Sequence, residues 1–582
     1  MRVSRDPATS KPRRPSRRID SIFLAGPGLL YVALLLLLPA GALVLLSLQN
    51  PETGRLELAV YRDLFSAGIY VQTLLNTFVI AAQVTVVCIF VGYVVAAWLT
   101  VMSEERRRLA IWLVLLPVWV SPLLKNFAWI VLLARRGIVA QLLTGLGYEG
   151  EINLLFGRGA VVFGMAHALL PIAILTMLPT MMGIDRRLLS ASQTMGASRS
   201  QSFWRIFLPL SMPGVTAAGL LIFIIAIGFF ITPALLGSPS ETMIGQMMIT
   251  QVQQFFNMRL AGALATLLLA VTLVVVVVYD RIFGISAASG GGSGDARPRS
   301  TILRRIGHGV LGTASALTDL LGRVGFGALG MQGLSMAAIL VVALLIVPVV
   351  AFPPMAFSGS SFLEFPPKSF SLQWFERYLT DPLWTGATLR SIGISIVTGI
   401  LATLLAGLAA YGMARTKTRL GSIAFLLFLM PMIVPNIVIA VALFYIFAKL
   451  GLVATDLGIA LGHTLTAMPI VFVIMLTTFR GFDWRLGDAA GTLGASPWQR
   501  IRHVFLPLVR GGAMSAFLFG LLHSFDELTI ALFVGGGVKQ TLPKKMWDDI
   551  LLSVSPTLAA AAVVVILLVT ILFVIAERSR PK

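Results

Sequence analysis

Lys125, Asp526 and Glu527 are ionisable residues set inside long apolar stretches. If those stretches cross a bilayer, each charge costs about 2.5–3.5 kcal/mol at mid-depth on insertion scales, so each is a candidate for function. Adjacent carboxylates at 526 and 527 facing a cavity would hold a cationic amine. Phe229, Phe230, Phe525 and Trp129 would offer aromatic faces to the same cation. Lys125 is the candidate counter-ion, unless it snorkels outward. The plainer reading of the acid pair is hydrogen bonding between helices or a contact near the external surface. His167, His463 and His523 read as packing or interhelical polar groups. The five histidines form no spaced ligand set, so no metal site is expected. No H-E-x-x-H and no G-x-x-x-x-G-K-[ST] occurs, so no catalytic residue is assigned and the chain is expected to bind no nucleotide or other cofactor itself. Cys88 is the single cysteine, which excludes a disulfide within the chain.

The elements that must position these groups are membrane helices. Hydrophobic residues make up 57% of the chain and charged residues 12%, with a mean hydropathy of +0.90, against about 25% charged in soluble domains. Twelve apolar stretches reach spanning length: 21–48, 73–101, 110–134, 160–183, 213–236, 260–283, 333–357, 388–414, 421–448, 459–480, 512–534 and 556–576. The short alternating segments of a barrel are missing. Pro117, Pro122, Pro431 and Pro435 are expected to kink helices and shape a cavity. Basic residues crowd the first twenty positions, Arg106–Arg108, Arg186 to Arg205, the middle connector, Arg415/Lys417, Arg500/Arg502 and the end. That pattern places both termini in the cytoplasm, with Arg135 and Arg136 running against it. The net charge of +20 is dispersed among apolar spans, which argues against a nucleic-acid partner. The N-terminus reads as a first span rather than a cleavable signal.

The chain also repeats itself. Asp185–Pro209 and Asp483–Pro507 align at a fixed offset, and about twenty positions between Gly164 and Gly214 are identical to those between Gly462 and Gly512, where chance gives roughly a handful. In this register Gly228 and Phe229 stand opposite Asp526 and Glu527. A Gly/Ser-rich connector, Ser286–Ser300, joins the two copies. The expected domains are a basic tail 1–20, a first unit 21–284, a linker 285–331, a second unit 332–577 and a tail 578–582. About sixteen extra residues between Gly147 and Phe163 make the first unit's external loop longer, a candidate contact for an external partner.

The repeated loop resembles the EAA loop of binding-protein-dependent ABC importer permeases, E-A-A-x-x-x-G followed thirteen residues later by L-P. The second copy reads Asp488-Ala489-Ala490, Gly494-Ala495-Ser496, then Leu506-Pro507, with Asp for Glu. The first reads Ser190-Ala191-Ser192, Gly196-Ala197-Ser198, then Leu208-Pro209, without the acid. A short helix, a turn at the glycine and a returning helix capped by Ser198 or Ser496 fit that spacing. Ser524-Phe525-Asp526-Glu527, Thr541-Leu542-Pro543, Ser555-Pro556-Thr557 and Phe365-Pro366-Pro367-Lys368 before Trp374-Phe375 resemble the second permease of spermidine/putrescine-type importers. Pro117, Pro122, Trp129 and Phe230–Gly237 are similar to the first permease of that system. The resemblance implies an all-α polytopic protein of the bacterial inner membrane: two six-helix type I permease domains, about twelve spans, related by a parallel pseudo-two-fold axis. It further implies two cytoplasmic ATPase subunits that use ATP and Mg, docked on the two loops. An external solute-binding protein would complete the assembly, with polyamines or similar small cations as solute. Ferric iron, phosphonate or another small solute is the alternative, and an ion-gradient carrier the competing class.

Overall fold

In membrane lipid every backbone N–H and C=O must be satisfied within the chain, and uniformly apolar runs of Leu, Val, Ala and Ile meet that demand as helices. A computed structural model describes residues 22–50, 53–135, 137–283, 327–361, 365–414, 418–552 and 555–578. The basic tail 1–20, Arg136, the connector up to residue 326, Arg415, Lys417 and residues 579–582 lie outside these. Among the described residues the extended pairings are two isolated bridges, Gln49 with Leu56 and Ser358 with Phe370.

The first unit is built from α1 (Phe23–Leu48), α2 (Gly68–Val101), α3 (Glu104–Leu115), α4 (Pro122–Leu133), α5 (Arg158–Met182), α6 (Arg186–Thr194), α7 (Arg199–Ile227), α8 (Ile231–Leu236), α9 (Ile244–Gln253) and α10 (Met258–Phe283). The second contains α11 (Gly327–Ala356), α12 (Pro382–Ala414), α13 (Arg419–Ile433), α14 (Asn436–Leu450), α15 (Asp456–Gly481), α16 (Arg485–Thr492), α17 (Pro497–Asp526), α18 (Thr529–Val534), α19 (Leu542–Leu552) and α20 (Pro556–Arg578). Among the described residues ten helices are long and apolar enough to cross a membrane, eleven if a pair bent by 96° counts as one, with Pro556–Leu572 as a shorter apolar helix. Each of the twelve expected stretches therefore finds helical structure, but four are broken. The 213–236 stretch stops at Ile227 and resumes at Ile231. The 110–134 stretch splits at a 3-10 turn, Leu116–Trp119, with Pro117 inside it and Pro122 opening α4. The 421–448 stretch is the bent pair α13–α14, broken at Val434-Pro435. The 512–534 stretch ends at Asp526 and resumes at Thr529.

Each half is organised around three mutually packed helices, α2, α5 and α7 in one and α12, α15 and α17 in the other. Small residues let α5 and α7 cross closely. A Cβ at Gly214 would stand 2.8 Å from Thr180 Cβ, and one at Gly512 would collide with Thr478 at the matching place. The repeat extends to single hydrogen bonds. Thr77 Oγ1 accepts the Ile244 amide at 2.9 Å, and Ser391 Oγ accepts the Leu542 amide at 2.7 Å. The first helix of each half crosses over: α1 packs on α12, α13 and α14, and α11 on α2, α3 and α4. The two units are thereby interlocked.

Candidate functional site

Both halves break a helix at the same depth. α7 stops at Ile227, and Gly228, Phe229 and Phe230 lead into α8. α17 stops at Asp526, and Glu527 and Leu528 lead into α18. The halves meet closely at this level, since a Cβ on Gly228 would lie 3.2 Å from Pro435 Cβ. The two breaks, the Val118–Leu124 segment and the Met432–Asn436 segment wall a cavity of about 430 Å³. That is within the range typical of small-molecule sites.

Asp526 puts its exposed surface into this cavity, although the residue lies deep within the protein. Across from it stands Ser121, which also caps α4 by accepting the Leu123 amide at 3.2 Å. Lys125 lies one turn beyond Ser121, within electrostatic reach of the Asp526 carboxylate. Its side chain is only 3% exposed, and Nζ donates to the Pro117 carbonyl at 3.1 Å. It sits behind the wall as an inward counter-ion and does not snorkel.

Glu527 is used differently. Its Oε2 accepts the Ile530 amide at 2.8 Å, closing the first turn of α18, and lies 3.2 Å from His463 Nε2. His463 Nδ1 is 2.8 Å from Ser524 Oγ, which donates to Thr398 Oγ1 at 3.3 Å. His523 Nε2 lies 3.0 Å from Thr466 Oγ1. A buried carboxylate is tolerated where it accepts a hydrogen bond and stands beside a polar partner, as Glu527 does with the Ile530 amide and the His463 ring. Glu527 touches the cavity edge, but its bonds are those of a helix-to-helix lock. Interhelical polar roles hold for His463 and His523. His167 is buried with neither ring nitrogen hydrogen-bonded and packs edge-on against Trp129, ring centres 5.3 Å apart. Among the described residues no group of His, Cys, Asp or Glu could hold a metal ion.

Of the four expected aromatics, Phe229, Phe230 and Phe525 line the cavity. Trp129 does not: it is buried beside Phe163, ring centres 4.7 Å apart, further along α4 than the cavity-lining Leu124. Trp119, Ser121 and Asn436 line the wall and were not anticipated. A proline-marked break in both halves was the available signal, because loop residues flanking a helix break face whatever space it opens.

The repeated loops adopt one geometry twice. Asp185 and Asp483 accept the amides of Arg187 and Arg485 at 2.9 and 3.0 Å. Helices α6 and α16, carrying Ala191 and Asp488-Ala489-Ala490, end at glycines with φ of +90° at Gly196 and +88° at Gly494. Only glycine takes that conformation without strain. The Ala197 and Ala495 amides then return to the Ser192 and Ala490 carbonyls, both at 3.0 Å. Ser198 and Ser496 cap the next helix in full capping boxes with Gln201 and Gln499. Each returning helix widens into a π turn, Phe203–Phe207 and Ile501–Phe505, just before Pro209 and Pro507. The wider turn accommodates a proline that lacks the amide and would crowd the preceding carbonyl. At the apex Met195 and Leu493 are 87% and 88% exposed.

With this geometry in place, comparison with known proteins places the chain. The family described as "Binding-protein-dependent transport system inner membrane component" matches residues 13–289 and again 396–582. The chain is 30% identical over 222 residues to the spermidine/putrescine transport system permease protein PotB of Haemophilus influenzae, covering 38% of this chain and 77% of that protein. It is 31% identical over 192 residues to PotB of Escherichia coli K12, covering 33% and 69%. With PotC of Haemophilus influenzae it shares 30% over 194 residues, covering 33% and 75%. A solved bacterial alginate ABC transporter, in complex with an alginate pentasaccharide-bound periplasmic protein, aligns with a TM-score of 0.34 at 19% identity, over 39% of this chain and 82% of that one. Two matches of one family model, together covering most of the sequence, make this chain a member of the binding-protein-dependent transport system inner membrane components: a multi-pass ABC importer permease carrying the family's domain twice.

Proposed function

We propose that the chain forms the complete solute pathway of an ATP-driven importer for polyamines such as putrescine and spermidine, or similar small cations. The observation that carries the reading is Asp526, a carboxylate presented to a cavity of about 430 Å³ between the halves, with Phe229, Phe230 and Phe525 in its wall. A linear amine has ammonium groups for the carboxylate and an aliphatic body for the rings. Permeases of spermidine/putrescine systems among the relatives support the same substrate class.

In this reading the two capped loops each dock one cytoplasmic ATPase subunit. The exposed apolar apex, Met195 or Leu493, supplies the kind of surface a partner buries. ATP and Mg are held by those subunits, an external binding protein delivers the solute, and both termini lie on the loop side. Closure of the ATPase pair rotates the interlocked halves about the cavity. Lys125 holds Asp526 until an arriving ammonium competes for it.

The test is uptake of radiolabelled putrescine and spermidine into proteoliposomes holding the chain, its ATPase subunits and internal ATP, with the binding protein outside. ATP-dependent accumulation is expected. An assembly that hydrolyses ATP on addition of the binding protein yet moves neither amine overturns the polyamine assignment. Uptake by the chain alone on an ion gradient overturns the coupling assignment.

A further inference from the structure

The two halves differ sharply at the end of the bundle that carries the loops. In the second half Tyr411, Phe479, Phe482, Trp484 and Phe505 form a continuous aromatic plug. Ring centres lie 5.3 Å apart for Tyr411–Phe505, 5.5 Å for Tyr411–Trp484 and 4.9 Å for Phe482–Trp484. In the register of the repeat their counterparts are Ala97, Met181, Ile184, Arg186 and Phe207. All five line a cavity of about 610 Å³. At four of the five positions the ring is replaced by a non-aromatic side chain, and only Phe207 is kept.

The lining of this cavity combines cationic and apolar side chains. Arg107, Arg186 and Arg199 reach it from three different helices, α3, α6 and the start of α7. Their second-half counterparts are Gly421, Trp484 and Pro497, so the cluster belongs to the first half alone. Among the described residues none of the three arginines has an ion pair. Of the neighbouring acids, Glu104 lies 3.6 Å from Arg108 and Asp185 accepts the Arg187 amide, and neither these nor Glu105 lines the cavity. Ser190 lines the same cavity where the second loop has Asp488. An acid there would cancel part of the positive field, and serine keeps it. The first loop's missing acid thus acquires a physical reason.

We propose that this cavity binds an anionic phospholipid of the leaflet on the loop side, its phosphate between the three arginines and its apolar portion against the interior wall. Val101 and Met182, 46% and 45% exposed at the ends of the spanning helices α2 and α5, provide that wall at the level where the membrane meets water. Leu334 of α11 closes it from the other half, so an occupant would contact both units. The apolar wall distinguishes an amphiphile from a soluble anion, and the separate arginines suit a phosphate that accepts several charge-assisted bonds. The inference rests on the proposed orientation only for the choice of leaflet.

Native mass spectrometry of the full chain in detergent, with equal phosphatidylglycerol and phosphatidylcholine added, tests it without requiring transport. The wild type should retain phosphatidylglycerol at least about fivefold more than phosphatidylcholine, since even one basic side chain near a bilayer surface contributes about a factor of five. Arg107→Gln/Arg186→Gln/Arg199→Gln should abolish the preference, and so should Ala97→Tyr/Arg186→Trp, which imports the second half's plug. Arg502→Gln on the other loop should leave it intact. Equal retention of the two lipids by the wild type overturns the proposal, as does a preference surviving in the filled variant. Inorganic phosphate displacing the lipid at millimolar concentration would assign the site to a soluble anion and overturn the lipid.

Discussion

Replacing Asp526 by Asn keeps the shape of the cavity wall and removes its charge. An ammonium and a carboxylate about 4 Å apart attract by about 4 kcal/mol at an effective dielectric near 20. The carboxylate is open to the cavity, so water recovers part of that when the solute leaves, and about 1.5–3 kcal/mol is a fair net figure. Apparent affinity for putrescine should therefore fall roughly tenfold to a hundredfold. The same change has a second effect, because Lys125 is buried with Asp526 as its opposing charge and Pro117 carbonyl as its hydrogen-bond acceptor. Stranding it costs stability in its own right. Lys125→Met/Asp526→Asn separates the two effects, since it strands neither charge. We expect Asp526→Glu to transport within a few-fold of wild type, Asp526→Asn to lose both transport and thermal stability, and the double variant to recover stability but not transport. The assay is initial uptake of radiolabelled putrescine in the reconstituted complex, with melting of the detergent-solubilised chain alongside. Recovery of uptake in the double variant would show that Asp526 serves Lys125 alone and would refute its role as the solute's counter-ion.

Other perturbations test the coupling loops and the packing. Gly196→Val/Gly494→Val forces positive φ on a β-branched residue at about 1–3 kcal/mol each, with no atom within 4 Å to clash. Membrane insertion should be normal, while binding-protein-stimulated ATP hydrolysis falls at least tenfold; unchanged hydrolysis would detach these turns from coupling. Gly512→Val should lower the melting temperature of the chain by driving α17 off Thr478, and Thr478→Gly should restore it; failure of that rescue would place the cost elsewhere. Glu527→Leu removes the acceptor of the Ile530 amide and the partner of His463, so it should destabilise the chain by about 2–4 kcal/mol. Glu527→Gln should keep most of the stability and most of the transport, and a loss of uptake as deep as that of Asp526→Asn would make Glu527 a solute ligand after all.

The loops were legible from the sequence because their structure is local. A glycine at a fixed distance before a Ser-x-x-Gln box specifies a left-handed turn and a cap, whatever surrounds them. The spans were legible through length and apolarity, and the proline kinks through the missing amide. What failed to show was how far along a helix the cavity would reach. Ser121, Lys125 and Trp129 follow one another at four-residue spacing on one side of α4, and nothing in that pattern told that the cavity would end near Leu124 and leave Lys125 and Trp129 beyond its wall. The break at Glu527 was equally silent, because the apolar run continues to Val534. The Glu527 carboxylate starts the next helix by accepting the Ile530 amide, a local bond that the apolar run around it does not announce. The exchange of α1 and α11 between halves left no trace, since a lipid-facing and a protein-facing leucine are the same residue. The first half's arginine cavity became visible only when each aromatic of the second half's plug could be paired with its counterpart in space.

That pairing bears on why two copies of one domain are joined in a single chain. A symmetric dimer must place every group twice: a second Asp526 would stand where Gly228 lets the halves touch, and a second Lys125 would stand near Pro435. Two like charges in one small cavity repel, and each would need its own counter-ion. Once the copies are separate stretches of sequence, one can keep the carboxylate and the other the close contact and the ammonium that holds it. The same freedom acts at the loop end, where one half is plugged by aromatics and the other opened and lined by arginines. Symmetry is retained where geometry must be shared, in the helix crossings at Gly214 and Gly512, the capped loops and the Thr77 and Ser391 bonds. It is given up at the Asp526 cavity, where we propose that the solute binds, and at the arginine-lined cavity, where we propose that a lipid does.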